Sequence, residues 1–399
     1  MPIERYPTTL PTIYDKFQCK GGKCRNTCCQ GWVITVSRNE YNKLNHQIHS
    51  EKIKGFLKRL PKKNASDFIY ATVCLDGDGL CPFLTKEHMC GMQIDYGFHM
   101  LPTICKQFPR LLSSYRENGM IQRFLSLDTG CERVLELLWE ESKNGLQFKQ
   151  DIRESTLTAN SILSEHFLYD FASDIRNLCI WLLQNRSYSL SDRMIILGLA
   201  LRELQKLQDN NASDQIPAWF MKWQNYTKGN DFSQPLSELE GNRQWFVMNN
   251  IKTLLALVIS TSGTKELLSL ASKNISFEYE SNLYYNPEQY DILSDKFHET
   301  FPEIDNFFEN YLIMTMFRLT FPLNETSIWK SYIYLSSFYS FIRFISVICA
   351  PKTAETLIDQ LTTLSRSSIN FASFSELTSE QMSHYSSNTL AHLAILLRG

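Results

Sequence analysis

Nine of the eleven cysteines fall in the first 131 residues: Cys19, Cys24, Cys28, Cys29, Cys74, Cys81, Cys90, Cys105 and Cys131. Thiolates are soft ligands and select zinc or iron–sulfur centres. The N-terminus, Met-Pro-Ile-Glu-Arg-Tyr-Pro, has neither an apolar h-region nor a small-residue cleavage site, so no secretory signal is expected. A dense cysteine block in that setting points to metal or redox chemistry in the cytoplasm rather than to structural disulfides. Cys179 and Cys349 stand apart in apolar helical patterns, where a free cysteine behaves as a small hydrophobe.

The spacing is informative. The first cluster carries Cys19, Cys24, Cys28 and Cys29, ending in Gly31-Trp32; the others read Cys81-Pro-Phe-Leu, Cys90-Gly-Met-Gln, Leu101-Pro-Thr-Ile-Cys105-Lys-Gln-Phe-Pro-Arg110, and Cys131 after Thr-Gly. Gly21 and Gly22 let the first loop bend tightly and expose backbone N–H groups toward sulfur. Lys20, Lys23 and Arg25 are placed to offset the charge of thiolate-bound metal. Adjacent side chains diverge on a helix or a strand, so Cys28 and Cys29 are not expected to share one metal. With Cys74 set aside, eight cysteines remain as candidate ligands, enough for one or two four-thiolate sites. The pattern is not that of a zinc ribbon, and Gly31 stands where a radical enzyme using S-adenosylmethionine would have its third cysteine. Iron–sulfur is the leading reading, with structural zinc and unligated thiols as the alternatives. His88 and His99 are candidate substitutes for a thiolate; His46 and His49 read as surface residues.

The elements that must position these residues divide at about residue 145. Residues 1–145 read as an irregular, cysteine-rich metal-binding domain, with a short strand expected at Trp32–Val36 and a helix from Asn39 to Leu60 that Pro61 stops. Residues 146–399 read as a large α-helical domain, so the fold class is mainly α. Ser191 is placed to cap a helix whose apolar face is Met194, Leu197, Leu201 and Leu204. Further helical stripes follow at Ile251–Val258, Phe307–Met316 and Leu357–Leu364. Tyr332–Ala350 is apolar enough to raise the question of a membrane span, but four serines and Arg343 make it a buried core helix instead. The aromatic residues of this half read as core packing.

Composition agrees with a soluble globular chain: 43% hydrophobic, 21% charged and a formal net charge of -2. That balance gives no general pull toward nucleic acid or an anionic membrane.

The motifs at Cys19, Cys24, Cys28, Cys29, Gly31, Trp32, Cys81, Pro82, Cys90, Cys105, Pro109, Arg110 and Cys131 together resemble those of the flagellin lysine-N-methylases. They also belong to a wider set of proteins described as zinc- or iron-chelating. The resemblance is specific over residues 14–133; beyond that it rests on length and helical character. It implies methyl transfer from S-adenosylmethionine to lysine ε-amines of flagellin, a partner of the bacterial flagellum, with a [4Fe-4S] cluster involved. The chain has no glycine-rich loop after a strand of the Rossmann type, so any S-adenosylmethionine site must be of another kind. No catalytic or cofactor-binding residue is singled out. Glu117, Asp128 and Glu132 are the acids near the later motifs that a base for the lysine would be sought among. A non-catalytic metal-binding or assembly module and an electron-transfer protein are the competing readings.

Overall fold

The computed structural model describes residues 5–31, 33–47, 55–154, 159–162, 166–229, 232–258, 262–275, 277–279, 283–285, 287–367, 374, 376–378, 380 and 389–399. The chain begins with strand β1 (Arg5–Pro11) and one helical turn, α1 (Ile13–Lys16). The first cysteine loop follows, without regular structure beyond a 3-10 turn at Gly21–Lys23. Then comes a small unit of β2 (Thr35–Val36), α2 (Arg38–Gln47), β3 (Leu57–Arg59), β4 (Ala71–Val73), α3 (Gly91–Tyr96) and α4 (Thr103–Gln107). Its strands pair antiparallel in the order β2-β4-β3. Its separate core is built on Ile34, Val36, Leu44, Leu57, Ala71 and Val73, against which Cys29, Cys90 and Cys105 pack.

A hairpin follows, β5 (Arg110–Glu117) and β6 (Met120–Leu127). Asn118 and Gly119 both take positive φ, 48° and 77°, as a two-residue hairpin turn requires. After α5 (Glu132–Glu140) come β7 (Phe148–Glu154) and β8 (Ala159–Ile162). A five-stranded mixed sheet results, ordered β7-β1-β6-β5-β8, with β1 parallel to β6 and β8 parallel to β5. Residue 145 lies between α5 and β7, so strands from both sides of it share one sheet. Phe124 and Leu127 of β6 also belong to the same buried cluster as the helices.

The remainder is helical apart from one hairpin. It comprises α6 (Ala172–Leu183), α7 (Leu190–Asp209), α8 (Ile216–Gly229), α9 (Ser233–Ser237), α10 (Arg243–Val258), α11 (Ser262–Ala271), the strands β9 (Phe277–Tyr279) and β10 (Leu283–Tyr285), α12 (Pro287–Thr300), α13 (Ile304–Leu319), α14 (Ile328–Ile348), α15 (Ala354–Ser367) and α16 (Leu390–Arg398). The chain is mainly helical, as expected. Among the described helices, α14 is the one long and apolar enough to cross a membrane, yet 94% of its apolar window is buried inside the fold. Arg343 does not break that burial. Its guanidinium donates to Ser191 Oγ (3.1 Å) and to the carbonyls of Leu397 (2.9 Å) and Gly399 (2.8 Å), which are left open at the end of α16.

Several local expectations need correction. Leu57–Arg59 is a strand rather than the end of a helix, because it pairs with β4 in register and its Arg59 stacks on Tyr41 and Tyr70. Helix α7 is capped by Ser189, whose Oγ accepts from Asp192 N–H; Ser191 Oγ instead donates to Leu397 O. The first 145 residues are less irregular than they read, since six strands of the mixed and small sheets lie within them. The expected strand at 32–36 is confined to Thr35–Val36; Trp32 and His49 lie outside the described residues.

One buried charge ties the helical body together. Glu309 has no exposed side-chain surface and takes both Arg186 (2.9 Å) and Arg193. Removing one partner of such a cluster leaves uncompensated charge in a dry site. Glu309→Leu is therefore expected to cost about 3–5 kcal/mol, read as a lowered midpoint in urea unfolding.

Candidate metal centre

Six of the eight expected ligands, Cys19, Cys28, Cys29, Cys81, Cys90 and Cys105, line one cavity of about 290 Å³. Backbone pairing brings three of them together. Gln30 bridges to Leu80, Cys81 N–H donates to Cys29 O (2.8 Å), and Leu84 bridges to Cys90. Cys90 precedes α3, and Cys105 sits within α4. Cys28 and Cys29 do not diverge as a helix or strand would make them. They lie in a turn, both face the cavity, and their thiols hydrogen-bond to each other.

The other two expected ligands, Cys24 and Cys131, do not line that cavity; they lie near each other, where the loop meets the helical body. Cys131 is held between strand β6 and helix α5, for which it is the N-terminal flanking residue. Hairpin β5–β6 explains how Cys105 and Cys131 come to one end of the sheet. Arg110 pairs with Leu127, and Asp128 N–H donates to Pro109 O (2.8 Å) just beyond the last pair. Cys74, read as a bystander, does not line the cavity, and neither do His88, His99 or His46. Cys179 is buried within α6, and Cys349 is buried just beyond the end of α14.

Cys24, Cys28, Cys81, Cys90, Cys105 and Cys131 are disfavoured as thiolates. Burial pushes Cys24 and Cys81 up to about 11 and Cys131 up to about 12. Burial and the other thiols also raise Cys105 strongly, while Cys28 is raised first by its hydrogen bond to Cys29. The N–H groups at the starts of α3 and α5 point at Cys90 and Cys131 and partly oppose this. Among the described residues, no three Cys, His, Asp or Glu side chains converge on one point at ligand distance. The donors' chemistry fits a thiolate-ligated centre, since soft sulfur crowds one cavity; the sulfurs surround that space without closing on a single atom.

Charged groups brace the loop between Cys19 and Cys29. The Glu132 carboxylate, fully buried, takes Lys20, Arg25 at 3.5 Å and the N–H of Asn26 at 2.7 Å. Lys20 and Arg25, expected to face sulfur, are thus engaged by Glu132, Glu136 and Asp359. From α15, Arg366 donates Nε to Gly130 O (2.6 Å), Nη2 to Asn26 O (2.9 Å) and Nη1 to Thr27 O. One side chain therefore clamps the segments carrying Cys24, Cys28 and Cys131. Nothing in the local sequence marks Arg366; it is an ordinary basic residue at the end of a helical stripe. Gly22 is required for another reason, because a Cβ there would meet Glu87 O at 2.7 Å. Gly21 N–H reaches Cys19 Sγ at 3.4 Å, as the glycine pair suggested.

The acids considered as bases are all engaged. Glu117 accepts from Ser173 N–H and Oγ (both 2.8 Å). Asp128 accepts from Gly130 N–H and Arg318, and Glu132 is the brace just described.

Comparison with known proteins identifies the helical half. The family of the FliB lysine N-methylase C-terminal domain matches residues 176–396, more than half of the chain. The chain belongs to this family. Two lysine-N-methylases, from Salmonella typhimurium and Salmonella choleraesuis, are each 30% identical over 135 residues, 33% of this chain and 32% of the relative. A flagellar biosynthetic protein FliU of Salmonella muenchen is 30% identical over the same length, 76% of that protein. The aligned part thus spans about a third of the two lysine-N-methylases. No solved structure matches the chain. The resemblance first carried by the cysteine motifs is therefore met by a family match that rests on the other half of the chain.

Two outcomes follow from the bracing. Arg366→Met is expected to release the loop, so that Cys24 and Cys28 react faster with a thiol-specific disulfide reagent while Cys179 and Cys349 stay protected; unchanged rates would show that the clamp is idle. Glu40 ties α2 to α4 by accepting from Thr103 N–H (2.6 Å) and Ser37 N–H (2.9 Å). Burial alone would raise its pKa, but these donors prevail and hold it below the ordinary 4.5. A depressed carboxylate gives its full stabilisation above the unfolded value and loses it as pH falls through the folded one. Wild type is therefore expected to lose α4 order below about pH 4.5, a dependence that Glu40→Gln removes, as followed by hydrogen exchange at Cys105.

Proposed function

We propose that the chain transfers methyl groups from S-adenosylmethionine to lysine ε-amines of flagellin in the cytoplasm. In this reading four of the cysteines Cys19, Cys24, Cys28, Cys29, Cys81, Cys90, Cys105 and Cys131 hold a [4Fe-4S] cluster, and the full set of eight suffices for two. The observation that carries it is a cysteine-lined cavity joined to a body of the lysine N-methylase family. The name of the FliU relative supports a flagellar substrate. Bound, such a cluster supplies a redox-active, Lewis-acidic centre.

The methyl step itself is a displacement. The lysine nitrogen lone pair forms the new N–C bond as the C–S bond breaks, its electrons return to sulfur, and a thioether leaves. The nitrogen must enter neutral, although a free lysine titrates near 10.4. The three nearby acids are already taken, so the cavity wall does this work. Ile34, Val73, Phe83, Met92, Leu101 and Phe108 line it, and an apolar wall lowers a lysine pKa by disfavouring the ammonium. Phe98, 55% exposed, and Lys106 stand at its open side.

The test is anaerobic reconstitution of the full chain with iron and sulfide, followed by incubation with S-adenosylmethionine and flagellin. Single-methyl mass increments on flagellin lysines are expected, lost in Cys81→Ala and Cys105→Ala. Absence of increments from a cluster-loaded sample would remove the activity. Purification with zinc and no iron would instead favour a structural, thiolate-bound zinc, the second reading that the soft donor set supports.

A further inference from the structure

Among the described residues, no anion pairs with Arg110, a permanent cation. It starts β5, stacks over Phe17 at 4.8 Å, and lines the cysteine cavity. It also lines a second cavity of about 230 Å³, whose wall includes Gln107, Phe108, Asp128, Ser365 and Arg366. Phe108 and Arg110 are common to both, so the two spaces adjoin at this arginine.

Its neighbours are all engaged. Arg366 serves three carbonyls, Lys106 donates to His99 O at 3.0 Å, and Arg318 pairs with Asp128 at 3.3 Å. Asp128, the acid of the second cavity, is already met by Arg318 and Gly130 N–H. Among the described residues, no ion pair or hydrogen-bond acceptor is recorded for Arg110. The surplus charge on this shared wall is therefore positive. A guanidinium presents a planar fork that matches a carboxylate with two parallel bonds.

We infer that Arg110 receives the carboxylate of a small ligand at the point where the two cavities adjoin. Resting on the function proposed above, that ligand is the methyl donor, held by the carboxylate of its amino-acid end, with the second cavity taking that end. The arrangement needs no glycine-rich phosphate-type loop, consistent with the lack of one in the sequence.

The test uses the full, metal-reconstituted chain and equilibrium dialysis with two compounds. S-adenosylhomocysteine keeps the amino-acid end; 5′-methylthioadenosine lacks it. Wild type is expected to favour the first by roughly tenfold or more, the value of one charge-assisted contact. Arg110→Gln should bring S-adenosylhomocysteine down to the level of methylthioadenosine, whose affinity stays unchanged; Arg110→Lys, with the charge but not the fork, should fall between. A variant that keeps the wild-type preference, or loses both compounds equally, overturns the inference while leaving the methyl donor in place. Wild type binding neither compound overturns the donor itself, and with it the proposed function.

Discussion

A carboxylate with no water on it, Glu132, fixes where the first cysteine loop can lie. Desolvating a charge is costly unless partners surround it, and this one has Lys20, Arg25 and the N–H of Asn26. The loop between Cys19 and Cys29 has little regular structure and few buried apolar side chains of its own. A hydrophobic contact would tolerate sliding by a residue or two; a buried carboxylate met by a particular backbone N–H does not. Arg366 applies the same logic from the other direction, with directional bonds to the carbonyls of residues 26, 27 and 130. Positions of sulfur atoms are thereby set by charge-assisted hydrogen bonds rather than by core packing.

The mixed sheet supplies the second constraint. Its hairpin fixes the register from Arg110–Leu127 to Glu117–Met120, and everything N-terminal to Arg110 and C-terminal to Leu127 leaves from one end. The segments carrying Cys105 and Cys131, 26 positions apart in the chain, meet the same end of the sheet for that reason. Helix α5 then runs from Cys131 into the large core through Val134, Leu135, Leu137 and Leu138, all nearly without exposure. The helical body is thus in direct register with the thiols. Helix α15 docks on the same loop through Asp359 and Arg366, seven residues apart and so on one helix face.

What the sequence disclosed follows from what is local. The cysteine set, the helices with apolar stripes and the burial of Arg343's helix depend on spacing within one segment, and spacing is visible. Asn118-Gly119 was also a local signal, and it marked the β5–β6 hairpin that the reading of residues 1–145 as irregular passed over. Other features were not local. Strand β1 pairs with β6 and β7, more than a hundred residues away, and carries two prolines that disguise it. Leu57–Arg59 looked like a helix end because its Lys-Arg run favours helix; pairing to β4 overrides that preference. Arg366 lies far along the chain from the loop it clamps, and no pattern within α15 separates it from a surface arginine. Cys28 and Cys29, expected to diverge as on a helix or strand, line one cavity because the backbone turns at these residues.

The cysteine-rich unit is small for what it must hold. Among the described residues, ten buried ones form its core, one of them Cys81, around three strands of two or three residues each. Units of this size rarely stand on apolar burial alone and need staples. All the cysteines are free thiols, so disulfides are not the staple in this state. Two others remain: the thiols themselves, whose crowding suits a soft metal, and the ionic clamps from Glu132 and Arg366. The clamps order Cys24, Cys28 and Cys131 from the helical side, while backbone bridges order Cys29, Cys81 and Cys90 from within the unit. The cavity lies where these two systems meet. Displacing either one moves half the sulfurs relative to the other half, so the chemistry of the site and the docking of the helical body are the same structural problem.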